Sequence, residues 1–330
     1  MINILSQLTI FFLQALIIVC AIVFTFSGIL ALFSKAKLKD QTNIKIKKLN
    51  KHFENITLKI KKEIEEKKVV NEFLKKQKYL AKQKTNKTQK RIFVLNFIGD
   101  IKASQVDNLR EEVTAILTIA NNKTDEVLLR LESPGGMVHG YGLAASQLQR
   151  ITDSKLPLTI SVDKVAASGG YMMACVANKI ICAPFAIIGS IGVVAQLPNF
   201  NRFLKKHDID FEQITAGEYK RTLTLFGENT EQGRNKMKAE VEEVHKLFKD
   251  FINMHRPQID ITKTATGEHW FATQAISLNL VDHIQTSDDY LLQQSKTKEL
   301  YEISWIKKKN LKDKISTSIK GLHEKISGVL

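Results

Sequence analysis

Short apolar runs alternate with amphipathic stretches along most of the chain, and this pattern predicts strands and helices in turn. Helical spacing of apolar residues occurs over 103–120 and 138–150, a helix opens near Ser168, and a long helix spans 231–256 before Pro257. The runs typical of buried strands are IFVLNFIG (92–99), VLLRLE (127–132), LTISV (158–162), KIICA (179–183) and IGVVAQ (191–196). This alternation predicts an α/β fold with a largely parallel sheet.

The N-terminal region has a different pattern, since residues 8–33 contain no charged side chain. These 26 residues, at helical rise, are long enough to cross a hydrocarbon core of roughly 30 Å. The run is longer than the apolar part of a signal peptide, and no small-x-small cleavage site ends it. We therefore expect residues 1–34 to form a single transmembrane anchor.

The basic charge of the chain is concentrated in one segment. The formal net charge is +15, and residues 35–91 hold 20 Lys/Arg against 6 Asp/Glu, so the remainder is close to neutral. This distribution argues against nucleic acid as the partner of the globular part. Helical spacing without Pro or Gly predicts a helical stalk over 35–90, either a solvated linker or a surface attracted to anionic lipid. Residues 301–330 repeat the basic amphipathic pattern as a tail.

The three cysteines give no pattern of a metal site or a disulfide. Cys20 lies in the apolar run, and Cys175 and Cys182 lie among Ala, Val and Ile. We interpret all three as small buried hydrophobic residues. No metal or other cofactor is predicted.

The sequence Ser133-Pro134-Gly135-Gly136 follows the predicted strand at 127–132. Proline fixes φ and the glycines permit positive φ, so the chain can turn tightly and present bare backbone N–H groups. An oxyanion hole requires such groups, although many ordinary turns have the same residues. The motif alone therefore leaves both interpretations open.

Ser168 lies among small residues, in Ala-Ala-Ser-Gly-Gly-Tyr, at the predicted start of a helix. A loop-to-helix junction exposes the hydroxyl and frees the N–H of Gly169 as a donor. A tight turn without catalytic function accounts for this motif equally well.

A serine nucleophile needs a base, and the sequence offers two arrangements. His139 and Asp163 would complete a Ser-His-Asp triad. Lys220, in Gly-Glu-Tyr-Lys-Arg, acts as a base only if desolvation or neighbouring positive charge lowers its pKa toward neutrality. Lys220 taken alone is indistinguishable from an ordinary surface lysine.

Four segments taken together resemble the S49 signal-peptide-peptidase family of serine peptidases. The resemblance covers roughly residues 91–290 and is greatest to the short inner-membrane members of that family. The segments are SPGGMVHGYGLAASQLQR, VDKVAASGGYMMACVANKI, APFAIIGSIGVVAQLPNFNRFL and ITAGEYKRTLTLFGENTEQGR.

The resemblance implies a ClpP/crotonase-like fold over 91–300 and a Ser/Lys dyad. Ser168 matches the nucleophile, Lys220 the general base, and Ser190 a serine that orients the lysine. Gly136 and Gly169 match the oxyanion donors. Relatives form homo-oligomers in which the two dyad residues can come from adjacent protomers.

Two departures from the family pattern lie near the end of this region. Thr273 and Asn279 stand where relatives often have glycine. Both bear on local packing rather than on the dyad.

The resemblance implies a membrane-anchored serine endopeptidase of the bacterial inner membrane. Its expected partners are peptides or unfolded segments, including signal-peptide remnants, together with membrane lipid and further copies of the chain. The basic flank after the anchor favours a cytoplasmic catalytic domain. The resemblance leaves a periplasmic domain equally open.

Two other functional classes share the same fold. A crotonase-type enzyme acting on acyl-CoA would use the same oxyanion chemistry, but it normally depends on carboxylates and gives Ser168 no function. A catalytically silent membrane scaffold or partner-binding protein would have no need of Ser168 and Lys220.

Overall fold

The structure is a computed structural model that describes residues 13–14, 16–25, 43–84 and 90–306. The chain divides into two compact units, one of Met1–Ile44 with Lys307–Leu330 and one of Lys45–Ile306. Within the described residues, no helix is both long enough and apolar enough to cross a bilayer. Most of the predicted anchor (1–34) and nearly all of the predicted tail (301–330) lie outside those residues, so both stay predictions.

The strands build a seven-stranded sheet and a smaller three-stranded sheet. In chain order they are β1 (Ile44–Lys48), β2 (Arg91–Ile98), β3 (Asp125–Glu132), β4 (Leu158–Val162), β5 (Val165–Ala167), β6 (Lys179–Cys182), β7 (Ile187–Gly189), β8 (His269–Phe271), β9 (His283–Ile284) and β10 (Glu299–Trp305). The large sheet has the order β1-β10-β2-β3-β4-β6-β9, and its pairs from β10 to β9 are all parallel. The predicted α/β fold with a largely parallel sheet is confirmed.

Helices cover both faces of the large sheet. In chain order, the helices within residues 43–306 are α1 (Leu49–Ile64), α2 (Lys67–Lys84), α3 (Val106–Ile119), α4 (Val138–Asp153), α5 (Gly169–Ala174), α6 (Asn201–Lys206), α7 (Glu231–His255), α8 (Ile261–Thr264), α9 (Ala272–Ala275) and α10 (Ser287–Gln294). Leu49 of α1 and Leu291 of α10 pack with Ile92 and Val94 on one face. Helix α3 packs against β2 and β10, and α4 packs against α3. Because β2 and β3 are buried on both faces of the sheet, their sequences are largely apolar rather than alternating between apolar and polar residues.

The small sheet brings the two motif-bearing loops together. Its order is β5-β7-β8, and β5 also forms a parallel bridge from Ala166 to Ser133, just after β3. The N–H of Ser133 donates to Val165, and the N–H of Ala167 donates to Ser133. The Ser-Pro-Gly-Gly loop and the segment leading to Ser168 are therefore hydrogen-bonded neighbours.

One prediction of local structure was wrong, and another holds over only part of its described range. Residues 191–196 form no strand, because β7 ends at Gly189, where φ is +102°, and Ser190 follows at +50°. An extended strand cannot accommodate positive φ. Of the predicted helical stalk (35–90), Leu49–Ile64 and Lys67–Lys84 are helical as expected, whereas Ile44–Lys48 form strand β1 and pair with β10.

Other predictions from the sequence are confirmed. Strands β2, β3, β4 and β6 and helices α3, α4, α5 and α7 lie where the pattern places them. Cys175 and Cys182 are buried and unpaired, as expected, whereas Cys20 is exposed.

Candidate active site

A cavity of about 530 Å³ lies where α5, α7 and the loops after β3 and β7 meet. Four of the five predicted site residues line it, namely Ser168, Ser190, Gly136 and Gly169. Lys220, the fifth, is not part of its lining. The structure thus brings together the predicted nucleophile, the lysine-orienting serine and the oxyanion donors, and leaves the predicted base apart.

The backbone of Ser168 adopts a conformation that side chains disfavour. Its φ is +52° and its ψ is −119°, values that belong to the first central residue of a type II′ turn, where glycine is usual. The N–H of Ser168 donates to the carbonyl of Gly189 at 2.8 Å, which holds this conformation in place. Strain of this kind is characteristic of functional sites.

The Ser-Pro-Gly-Gly loop requires both of its glycines. A β-carbon on Gly135, where φ is +90°, would lie 2.7 Å from the β-carbon of Ser168, and one on Gly136 would lie 2.2 Å from the carbonyl oxygen of Ile101. Neither gap admits a side chain. Among the described residues, none accepts a hydrogen bond from the N–H of Gly136 or of Gly169, so both are available to a ligand in the cavity.

Ser190 also has positive φ, at +50°. Its N–H donates to the carbonyl of Glu268 at 2.6 Å, and this bond fixes the turn after β7. Two serines with left-handed φ therefore line one cavity, a coincidence that the sequence did not reveal.

Helix α7 supplies an apolar wall that was missed from the sequence. Val244 and Phe248 line the cavity with Met172, Val138 and Ile101. Val244 and Phe248 are four residues apart and so share a helix face. The spacing of Val244 and Phe248 is visible in the sequence, but nothing in the sequence indicates what this face of α7 contacts.

Lys220 lies in a turn of the long segment between α6 and α7. Its N–H donates to the carbonyl of Gly217, and its side chain is exposed, with no hydrogen bond or ion pair to any described residue. The same segment exposes several large apolar side chains, including Phe211, Tyr219 and Ile214, of which the last is 96% exposed.

The alternative triad does not assemble. His139 is exposed on α4 and is not part of the cavity lining. Both carboxylate oxygens of Asp163 accept hydrogen bonds from Ser287, one from its N–H at 2.8 Å and one from its hydroxyl at 2.5 Å. Asp163 therefore caps α10 rather than orienting a histidine.

Comparison with known proteins bears on the whole chain. The family model "Peptidase family S49" matches residues 150–301, and "Peptidase family S49 N-terminal" matches residues 3–148. A protein named "Probable protease SohB" from Buchnera aphidicola subsp. Schlechtendalia chinensis is 47% identical over 290 residues, which cover 82% of this chain and 93% of that protein. This chain belongs to peptidase family S49.

One further protein of known sequence agrees with that assignment, and a solved structure is similar in part. "Probable protease SohB" from Haemophilus influenzae is 59% identical over 234 residues, 70% of this chain, and the match spans 66% of the Haemophilus protein. Among solved structures, a membrane-bound stomatin-specific protease in complex with a substrate peptide is 14% identical to the S49 chain, with a TM-score of 0.43 over 71% of this chain and 99% of that one.

Proposed function

We propose that this S49 chain is a membrane-anchored serine endopeptidase with Ser168 as its nucleophile. The observation that carries the proposal is the geometry around Ser168. A strained serine faces a cavity beside two unengaged backbone N–H groups, those of Gly136 and Gly169. This arrangement suits acyl transfer, in which a hydroxyl attacks a carbonyl and the new oxyanion needs donors. We assign the domain that contains this site to the ClpP/crotonase-like fold class.

The proposed reaction proceeds through an acyl-enzyme. Neutral Lys220 accepts the proton of Ser168 as Oγ attacks the peptide carbonyl, and Gly136 and Gly169 donate to the oxyanion. Lys220 then protonates the leaving amine, and water hydrolyses the ester by the reverse sequence of proton transfers. Ser190, at the edge of the same cavity, orients the ammonium by accepting from it.

The exposure of Lys220 supports a dyad formed between chains. A lysine acts as a base near neutral pH when it is desolvated or close to another positive charge, and the Lys220 side chain of the single chain is exposed. The apolar side chains exposed near Lys220, including Phe211 and Ile214, form a surface that a neighbouring copy would cover. Such a copy would bury the lysine and bring it to the neighbour's Ser168.

The apolar wall of the cavity and the predicted anchor favour unfolded, apolar substrates at a membrane. Signal-peptide remnants and membrane-protein fragments have this character. We place the enzyme in the bacterial inner membrane, with the basic segment near anionic lipid, and protease accessibility in intact spheroplasts would identify the side that carries the peptidase unit. Efficient cleavage of a folded protein, relative to short peptides, would contradict this substrate class.

Covalent labelling tests the nucleophile. The detergent-solubilised full chain should react with a fluorophosphonate, and Ser168→Ala should abolish the label while Ser190→Ala keeps it. Lys220→Ala should slow acylation by several orders of magnitude, on the scale of losing a triad member. Unchanged labelling of Ser168→Ala would overturn the assignment, and absence of any label in the wild type would favour the catalytically silent scaffold.

A further inference from the structure

A series of hydrogen bonds lies behind the glycine loop, away from the cavity. The N–H of Gly135 donates to the hydroxyl of Ser133 at 3.1 Å, and that hydroxyl lies 2.5 Å from the hydroxyl of Tyr141. The Tyr141 hydroxyl in turn donates to the backbone carbonyl of Asp100 at 2.8 Å. Ser133 and Tyr141 are both fully buried, so solvent does not reach either hydroxyl.

Only one set of proton positions satisfies every group in this series. The carbonyl of Asp100 can only accept, so the single hydrogen of the Tyr141 hydroxyl must point to it. The Ser133 hydroxyl therefore donates to Tyr141, and its lone pair accepts from Gly135. All donors point the same way, from Gly135 to Asp100, and bonds aligned in this manner polarise and strengthen one another in a buried setting.

Tyr141 also contacts the other proposed donor. A β-carbon placed on Gly169 would lie 2.4 Å from Cγ of the Tyr141 ring, so the ring packs directly against the backbone that follows Ser168. One buried side chain thus touches the backbone of Gly169 and, through Ser133, holds Gly135. Because the N–H of Gly135 is engaged in this way, the next N–H, that of Gly136, is the one left free.

We propose that Tyr141 is a positioning residue that sets the separation of the Gly136 and Gly169 donors, acting on the first through Ser133 and on the second by packing. This inference rests on the proposed function, since it concerns the same oxyanion hole. Donors must stand 2.7–3.1 Å from the position of the oxyanion, and small misplacements are costly. Burial raises the pKa of Tyr141, so its hydroxyl stays protonated. Ionisation of Tyr141 therefore does not contribute to the pH dependence of activity.

Tyr141→Phe in the full-length, detergent-solubilised chain tests this role. With a short peptide substrate, kcat should fall roughly 10- to 100-fold while KM is unchanged, because substrate binding precedes oxyanion formation. The inhibition constant of a peptide aldehyde should rise by the same factor, since its hemiacetal with Ser168 uses the same donors. Ser133→Ala, which removes the same link and keeps the ring, should reproduce both effects.

Tyr171→Phe is the matched control. Tyr171 is also fully buried, and its hydroxyl donates to the carbonyl of Leu280 at 3.0 Å, on the side away from the glycine loop. This variant should lose similar thermal stability with kcat and aldehyde inhibition unchanged. If Tyr141→Phe behaves like Tyr171→Phe in all three measurements, Tyr141 is only structural and the inference is wrong.

The two proposals fail in different ways. Wild-type turnover retained by Ser168→Ala would overturn the proposed function, and the positioning role with it. Turnover lost in Ser168→Ala but unaffected by Tyr141→Phe and Ser133→Ala would overturn the positioning role alone.

Discussion

At the scale of single residues, the strained backbone at Ser168 lowers the stability of the fold at the position of the proposed nucleophile. Glycine relieves positive φ, whereas alanine keeps it. The strain costs roughly 1–3 kcal/mol. Glycine removes that strain but itself lowers stability by roughly 0.5–1 kcal/mol, because it gives the unfolded chain more conformational entropy. We expect Ser168→Gly to be more stable than Ser168→Ala by about 1 kcal/mol, with both inactive, as measured by urea denaturation. Equal stability of the two variants would mean that the backbone at residue 168 is not strained.

A buried carboxylate makes stability depend on pH. Burial raises the pKa of Glu112 to about 6, although the N–H of Trp305 donates to it and lowers the pKa in part. A raised carboxyl pKa contributes stability below the unfolded value of 4.5, and that contribution is lost as pH rises through about 6.

Glu112→Gln should remove this dependence because it keeps the acceptor for Trp305 without the charge. At pH 7.5 we expect the variant to be more stable by about 1–2 kcal/mol, and at pH 4 to match the wild type. Glu111→Gln changes the same charge on a more exposed part of α3 and should leave the pH dependence as it is. A constant difference between Glu112→Gln and wild type across pH 4–8 would contradict the burial of a charged Glu112.

Prediction from sequence succeeded for residues whose local backbone determines their position. Ser168, Gly136 and Gly169 meet because the loop after β3 and the end of β5 are joined by the parallel bridge from Ser133 to Ala166. Lys220 follows no strand. Its surroundings depend on how a long irregular segment packs, and no local pattern records that.

At the scale of elements, an ion pair between buried Arg256 and half-buried Asp282 joins the end of α7 to β6. Arg256 donates two hydrogen bonds to Asp282, each at 2.9 Å, and Asp282 also accepts from the N–H of Ile180. Burial raises the pKa of Asp282, but these partners outweigh it and hold the pKa below its ordinary value. Arg256 also donates to the carbonyl of Asn279, whose φ is +59°. A left-handed φ of this kind favours glycine, so asparagine at this position is adopted at some cost.

Breaking one side of this pair should be far more costly than breaking a surface pair. Asp282→Ala leaves a buried guanidinium uncompensated and should destabilise the fold by about 3–5 kcal/mol in urea denaturation. Glu240→Ala, which removes an exposed i,i+4 partner of Lys236, should change stability by less than about 1 kcal/mol. Similar losses in the two variants would show that water reaches the Arg256 pair.

The strands also show where the hydrophobic pattern of a sequence no longer predicts secondary structure. Strands β2, β3 and β4 are buried on both faces, so their apolar runs are unambiguous. Residues 191–196 are also largely apolar, but they follow two positive-φ residues, Gly189 and Ser190, and residues 192–194 line the cavity instead of pairing in a sheet. Strand β1 looked helical because its Ile and Lys residues fit either period over so short a length, and pairing with β10 decided the outcome.

At the scale of the whole molecule, pairing of Ser168 and Lys220 between chains predicts complementation. Ser168→Ala and Lys220→Ala should each be inactive alone, yet together in one membrane they should recover about a quarter of wild-type activity. The fraction follows because a random neighbour pair supplies an intact serine and an intact lysine one time in four. Peptide hydrolysis in mixed and separate proteoliposomes measures it. No recovery on mixing would place the dyad within one chain.

On the proposed pairing between chains, a newly inserted chain would have the nucleophile and the oxyanion donors but no base, because its own Lys220 does not line its cavity. Hydrolysis then requires an encounter between chains, so at low surface density the number of working sites rises with the square of the density. A membrane with few copies of the chain would show little proteolysis, and a modest rise in expression would increase the rate of proteolysis steeply. On that proposal, the exposed lysine would keep the peptidase latent until its copies are crowded.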